Sequence, residues 1–231
     1  MAVRLISLSE INTLLLSLSR RKSPYTTLVG GSVPAYCKDL DMVIAGFSSG
    51  ELQTFNASIG SPLWSDVLIS NRQAYSSTLL NTIKASPVVE GETVYAFSNG
   101  NVLTSIDART GLRNWEKEIG GKTTPLLAGN VLYVISNDRD LLAINKENGE
   151  ILWAKPLDFG EKPADVVASA PIMLSNRLIV ALSNGNVFTY DPKDGTILSS
   201  VDLDYELNSS PIAADGYIIF VTSKAKLLVY K

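Results

Sequence analysis

Twenty-three carboxylates, one cysteine and no histidine define the chemistry open to this 231-residue chain. Without imidazole it lacks the commonest general base and the commonest transition-metal ligand near neutral pH. The lone Cys37 can form no internal disulfide and no thiolate cluster. It reads as a small buried hydrophobe. What remains is oxygen chemistry, in which aspartates hold a hard cation such as calcium and take a proton beside a bound quinone. Yet Asp107, Asp191 and Asp194 fall in hairpin loops, and Asp138 and Asp140 flank another turn. No carboxylate group stands apart from these turns, so no catalytic residue, cofactor site or metal site is expected.

The three tryptophans are the other candidates for a site, as an aromatic cage. Their spacing argues otherwise. Trp64, Trp115 and Trp153 each stand four residues after a glycine, and each glycine stands four residues after Asn or Asp: Asn56 to Gly60, Asp107 to Gly111, Asn145 to Gly149. A fourth example, Asp191 to Gly195, leads to Ser199 instead. An Asx side chain caps its own turn and glycine takes the left-handed position, so the spacing is that of a hairpin. A large ring at a fixed place after a hairpin is suited to docking one repeat on the next.

The elements that position these residues recur with a period of ~40, the range of a four-stranded propeller blade. A small residue and proline mark each repeat: Val33-Pro34, Ser86-Pro87, Thr124-Pro125, Ala170-Pro171 and Ser210-Pro211. Each proline is followed by an apolar strand, Met42–Ala45, Val94–Phe97, Val131–Val134, Leu178–Ala181 and Tyr217–Phe220, read as a buried inner strand. A turn then follows, with Asn99-Gly100 and Asn184-Gly185 expected to supply the positive φ of a tight hairpin. An alternating strand such as Val102–Ile106 or Val187–Tyr190 leads to the Asx–Gly turn. The predicted fold is all-β, a propeller of about five blades in a single domain over 1–231. Residues 1–28 form a partial, degenerate blade and 29–231 the repeated four-stranded blades. A short helix over residues 7–19 is the competing reading of the first segment, since Leu14, Leu15 and Leu18 would share one face.

A net charge of −3 and a pI near 5.1 give no cationic surface for nucleic acid. Residues 5–18 are apolar but are interrupted by Glu10 and Asn12, and no small-x-small cleavage motif follows. That stretch is therefore not read as a signal peptide, and no segment is long enough to span a bilayer.

The Asx-x-x-x-Gly-x-x-x-Trp hairpin, with its apolar strand and Ser-x-Gly turn, resembles the PQQ-type repeat of eight-bladed, quinoprotein-like propellers. Within that group, the runs from Ser86 to Gly100 and from Pro211 to Tyr230 are similar to outer-membrane protein assembly factors of the BamB family. The resemblance implies a non-enzymatic periplasmic scaffold at the outer membrane. Its partners would be the assembly barrel and unfolded outer-membrane proteins. It implies an eight-bladed ring, of which this chain resembles the C-terminal part. About five blades should sweep an open arc, with residues 14–19 far from the C-terminal strand. In the family, a Leu-x-Leu-Arg stretch and an Asp-x-Asp stretch meet the barrel; the corresponding places here hold Thr26–Val29 and Thr82–Lys84. Partner-binding candidates are therefore Leu28, Val29, Thr82 and Lys84, joined by Arg72 and Tyr75 of the long 66–82 loop. Two other readings share the blade. One is a fragment of a PQQ-dependent dehydrogenase. The other is a general interaction propeller of the WD type, whose Trp-Asp dipeptide is replaced here by Trp-Ser, Trp-Glu and Trp-Ala.

Overall fold

The computed structural model describes residues 32–70, 82–160 and 165–231. Each of the five repeat-marking prolines is followed by a short strand, and the apolar run after it forms the next one. The first sheet is β1 (Ala35–Cys37), β2 (Met42–Gly46), β3 (Glu51–Asn56) and β4 (Pro62–Val67). The second is β5 (Val88–Glu90), β6 (Thr93–Ser98), β7 (Val102–Asp107) and β8 (Arg113–Lys117). The third is β9 (Leu126–Ala128), β10 (Val131–Ile135), β11 (Asp140–Asn145) and β12 (Ile151–Pro156), and the fourth β13 (Ile172–Leu174), β14 (Arg177–Ala181), β15 (Asn186–Tyr190) and β16 (Ile197–Asp202). The fifth holds β17 (Ile212–Ala214), β18 (Tyr217–Val221) and β19 (Leu227–Tyr230).

All five are antiparallel meanders in chain order, and no α-helix occurs among the described residues. The all-β propeller expectation is met. One detail differs. The apolar runs are second strands, because a three-residue strand stands between each proline and the run. The proposed strand or helix within residues 1–28, and the expectation that residues 14–19 lie far from the C-terminus, fall outside the described residues.

Second strands of the first four sheets are buried on both faces, and so they read as nearly continuous apolar runs. Side chains alternate between neighbouring blades. Met42, Ile44 and Leu52 of the first sheet pack with Val94, Ala96, Val102 and Ile106 of the second, while Tyr95, Phe97 and Leu103 on the other side meet Leu132, Val134, Leu142 and Ile144 of the third. Burying each such side chain contributes about 1.5–3 kcal/mol. First strands of successive sheets lie side by side, as with β1 and β5, β9 and β13, and β13 and β17.

Near those first strands the hydroxyls that precede three of these prolines tie blade to blade. The Val33 amide donates to Ser86 Oγ at 3.2 Å, the Ser86 amide to Thr124 Oγ1 at 3.1 Å, and the Ala170 amide to Ser210 Oγ at 3.1 Å. Between the third and fourth blades the series is interrupted, because position 170 is alanine. Ser86→Ala is expected to lower stability by about 1 kcal/mol, and Ala170→Ser, which restores the hydroxyl in front of Thr124, to raise it by about 0.5–1 kcal/mol. Urea unfolding midpoints check both; equal midpoints for all three proteins would refute the role.

The hairpin between second and third strands also differs from expectation in one blade. In each, the fourth residue of the turn takes positive φ: Gly50 (83°), Asn101 (58°), Arg139 (70°), Gly185 (100°) and Ala225 (56°). Gly185 therefore does what the sequence suggested, but in the second blade Asn101 carries the left-handed residue and Gly100 does not. The loop is a turn followed by one αL residue, longer than a two-residue Asn-Gly hairpin, and asparagine tolerates that position.

Candidate protein-interaction face

The blade connectors and the hairpins between second and third strands are bonded into one face. The Leu68 amide donates to Gly50 O, Ser70 to Gly100 O and Ile83 to Phe47 O, while Asn99 donates to Thr82 O. The pattern repeats around the fold: Gly121 to Ser98 O, Asn137 to Gly120 O, Leu157 to Arg139 O, Leu203 to Gly185 O, Leu207 to Ser183 O and Ser223 to Glu206 O. Each connector is thus stitched to the hairpins of the blades it joins. Loops on so fixed a scaffold are where binding residues are carried.

Of the sequence candidates, Thr82 and Lys84 lie on this face, in the connector into the second blade. Thr82 is 7% exposed and Lys84 is exposed. Ile83 between them is buried in the core of the first two blades, so of these three residues Lys84 is the one exposed. Leu28, Val29, Arg72 and Tyr75 lie outside the described residues.

The same face carries a cleft that no local sequence pattern marked. Phe159, Asp165, Asn184, Asn186, Glu206 and Ser223 line a hollow of about 570 Å³. Beside it, Ser169, Ser183, Asn208, Ser209 and Ser210 line a smaller one of about 160 Å³. Its walls come from two connectors and two hairpins far apart in sequence. The Arg139 guanidinium lies 4.7 Å from the centre of the Phe159 ring and stiffens one wall.

The opposite side is built from Asx–Gly turns, where one carboxylate oxygen each of Asp107, Asp191 and Asp194 accepts from turn amides. Asp107 Oδ1 accepts from the Arg109 and Thr110 amides at 3.0 and 2.8 Å and from the Thr110 hydroxyl. Those bonds, the Thr110 amide first, hold its carboxyl below the usual range. Asn56, Asn145 and Asp191 cap their turns in the same way. Asp194 is also held low, mainly by the Thr196 amide. Among the described residues, no three of Asp, Glu, His or Cys converge as a metal site.

These turns receive the tryptophans. Trp64 Nε1 donates to Ala108 O at 2.7 Å, Trp115 Nε1 to Lys146 O at 2.8 Å and Trp153 Nε1 to Pro192 O at 3.1 Å. Every acceptor is the residue after the Asx of the next blade. The rings press on Gly111, Gly149 and Gly195, where an added Cβ would come within 2.9, 2.8 and 2.8 Å of ring carbons. Glycine is required twice over at each, since φ there is 73°, 71° and 71°. The aromatic residues are interblade anchors. A polar tie supplements the first of them: Arg113 of β8 grips Asp66 of β4 with Nε and Nη2 at 2.7 and 2.8 Å and reaches Val67 O.

A family model described as outer membrane protein assembly factor BamB matches residues 12–155, more than half of the chain. The chain belongs to the BamB family. A BamB from Yersinia pestis is 31% identical over 98 residues, which are 42% of this chain and 24% of that protein. The crystal structure of BamB from Moraxella catarrhalis superposes with a TM-score of 0.72 at 20% identity, over 90% of this chain and 59% of that one. A quinohemoprotein alcohol dehydrogenase from Pseudomonas putida shares the fold with a TM-score of 0.62 at 12% identity, over 86% of this chain and 40% of its own. The chain thus spans less than two thirds of the length of each of these relatives. At such identities the two structures establish the propeller fold, which BamB shares with quinoprotein enzymes.

Proposed function

We propose that this BamB-family chain is a non-enzymatic scaffold, which binds a component of the outer-membrane assembly machinery through its connector face and presents outer-membrane chains to it. The observation that carries this reading is the division of labour between the two sides. Carboxylates that a quinone and calcium site would need are engaged in capping turns, whereas the connector face offers a fixed frame with an open cleft and the exposed Lys84. The location that follows is the periplasmic face of the outer membrane. Among the described residues no helix is long and apolar enough to cross a membrane.

The dehydrogenase reading rests on the shared fold and predicts a different outcome in a simple titration. Adding pyrroloquinoline quinone and calcium to the protein is expected to leave the quinone spectrum unchanged and to give no alcohol-dependent dye reduction. A photo-crosslinking side chain in place of Lys84 is expected to capture the periplasmic domains of the assembly barrel. A calcium-dependent spectral shift with turnover, and no capture, would overturn the proposal.

A further inference from the structure

Hairpins between second and third strands bond the connectors that lead into their blades in the same way, so one place in the fold can be compared four times. The amide of the second turn residue, Asn99, Asn137, Ser183 or Ser223, donates to the carbonyl of Thr82, Gly120, Val167 or Glu206, at 3.0, 2.7, 2.9 and 2.8 Å respectively. In the second and third blades the place is closed. Thr82 is 7% exposed and Gly120 is buried. The Asn137 side chain crosses to Asn99 O at 3.2 Å, and a Cβ on Gly120 would stand 2.2 Å from Asn101 Oδ1 and 2.4 Å from Asn137 Nδ2. In the fourth and fifth blades serine takes the place of that asparagine and is too short to cross. Val167 is 68% exposed, Glu206 is exposed as well, and the hollow of about 570 Å³ opens beside them.

We propose that this hollow is a binding site for a cationic side chain, arginine or lysine, carried on an extended stretch of the protein chain that the scaffold presents. This rests on the scaffold reading above and names what the connector face holds at a place away from Lys84.

Charge, wall chemistry and size point to that occupant. Asp165 and Glu206 line the hollow, and among the described residues neither meets a cation. Glu206 Oε2 accepts from the Ser223 hydroxyl at a long 3.4 Å, and the Asp165 carboxylate accepts nothing. The ion pairs of the described residues are all elsewhere, at Glu90, Glu92, Asp66 and Glu116. The nearby cations Arg139 and Lys226 lie over the Phe159 and Tyr205 rings, 4.7 and 5.0 Å from their centres. Two carboxylates without partners in a concave wall favour a cation that donates hydrogen bonds. The apolar part of the wall, Phe159, Val166 and Leu207, suits the methylene stem of a long basic side chain. Asn184 Oδ1 is held by the Asn186 amide at 3.2 Å, which leaves the Asn184 Nδ2 and the Asn186 side chain for the peptide groups that flank it. The volume is that of a small-ligand site, enough for one side chain with its adjoining backbone. It is far too large for a bare metal ion, and no three metal-binding side chains converge among the described residues.

The probe is the peptide acetyl-Val-Arg-Val-amide, with a citrulline peptide of the same shape and no charge as its control. Titrated into the nitrogen-15-labelled 231-residue protein, the arginine peptide is expected to shift the side-chain amide signals of Asn184 and Asn186 and the backbone signal of Ser223. The shifts should saturate and should weaken with salt. The citrulline peptide should bind at least ~10-fold more weakly. A double variant, Asp165→Asn with Glu206→Gln, changes two exposed carboxylates and no core contact, so it should keep the wild-type melting temperature and lose at least ~10-fold in affinity for the arginine peptide. Absence of saturable shifts, equal binding of the citrulline peptide, equal binding to the double variant, or shifts centred on the Asx–Gly turns of the opposite side would each overturn the proposal. Binding of the assembly barrel's periplasmic domains should be the same for wild type and the double variant. Absence of peptide binding with domain binding intact sinks the cation site alone, and absence of domain binding with peptide binding intact sinks the docking reading alone.

Discussion

Trp115→Ala is expected to lower the unfolding free energy by about 3–5 kcal/mol, the cost of truncating a large packed aromatic. Three contacts go at once. The indole bond to Lys146 O is lost, the ring leaves Gly149 uncovered, and its tilted contact with Tyr95, at 6.2 Å between centroids, disappears. Thr104, which donates to Trp115 O at 2.7 Å, keeps the strand in place, so the effect reports the side chain. Because the ring joins the second blade to the third, the unfolding transition should also lose cooperativity. Urea denaturation followed by circular dichroism provides the measurement, and a change below about 0.5 kcal/mol, the range of surface substitutions, would refute the anchoring role.

The second large effect is alkaline. Tyr190 is buried among Leu178, Val180 and Tyr133 at the junction of the third and fourth blades. Burial, helped by the negative charge of Asp158, pushes its hydroxyl up from 10.0 to about 12. Below pH 10 the hydroxyl is protonated in folded and unfolded chains alike, and its contribution is intact. Between pH 10 and about 12 the unfolded chain releases the proton while the folded one retains it, so the unfolded state gains and stability falls as pH rises. At 1.36 kcal/mol per pH unit the loss is roughly 2–3 kcal/mol. Tyr133 and Tyr95 are shifted upward by burial as well and add to the slope. Tyr190→Phe should reduce this alkaline loss relative to wild type, measured by urea unfolding at intervals from pH 9 to 12. Parallel profiles would show that Tyr190 ionises as freely in the folded chain as in the unfolded one.

The propeller was legible because its most repetitive parts are those with stereochemical demands. An Asx cap, a left-handed glycine and a ring lying on the next glycine fix the Asx–Gly–Trp spacing, and burial on both faces makes the interiors of β2, β6, β10 and β14 apolar. The first strands were not legible, since three residues such as Ala35–Cys37 or Val88–Glu90 are too few to display a period. Nor did the sequence reveal why small residues precede the prolines. Ser86, Thr124 and Ser210 act through their hydroxyls, a role that size alone conceals. Asn101 took the left-handed position ascribed to Asn99-Gly100, because the hairpin places that residue fourth and the chain has asparagine there.

The interaction face was less legible still. Thr82 and Lys84 were found by counting back from a proline, but only their packing in the connector separates the buried Thr82 and Ile83 from the exposed Lys84. The cleft beside Phe159, Asp165, Asn184 and Glu206 is assembled by topology from stretches tens of residues apart. No window of sequence contains it, and nothing in the charge pattern points to it.

The claim at the centre of this account is that the chain recognises protein through its connector face. Calorimetric titration of the 231-residue protein with the isolated periplasmic domains of the outer-membrane assembly barrel tests it most directly. A single saturable binding isotherm, weakened by Lys84→Glu and unaffected by pyrroloquinoline quinone or calcium, is the predicted result. The contrary result is no heat of binding, or an isotherm of equal strength for Lys84→Glu.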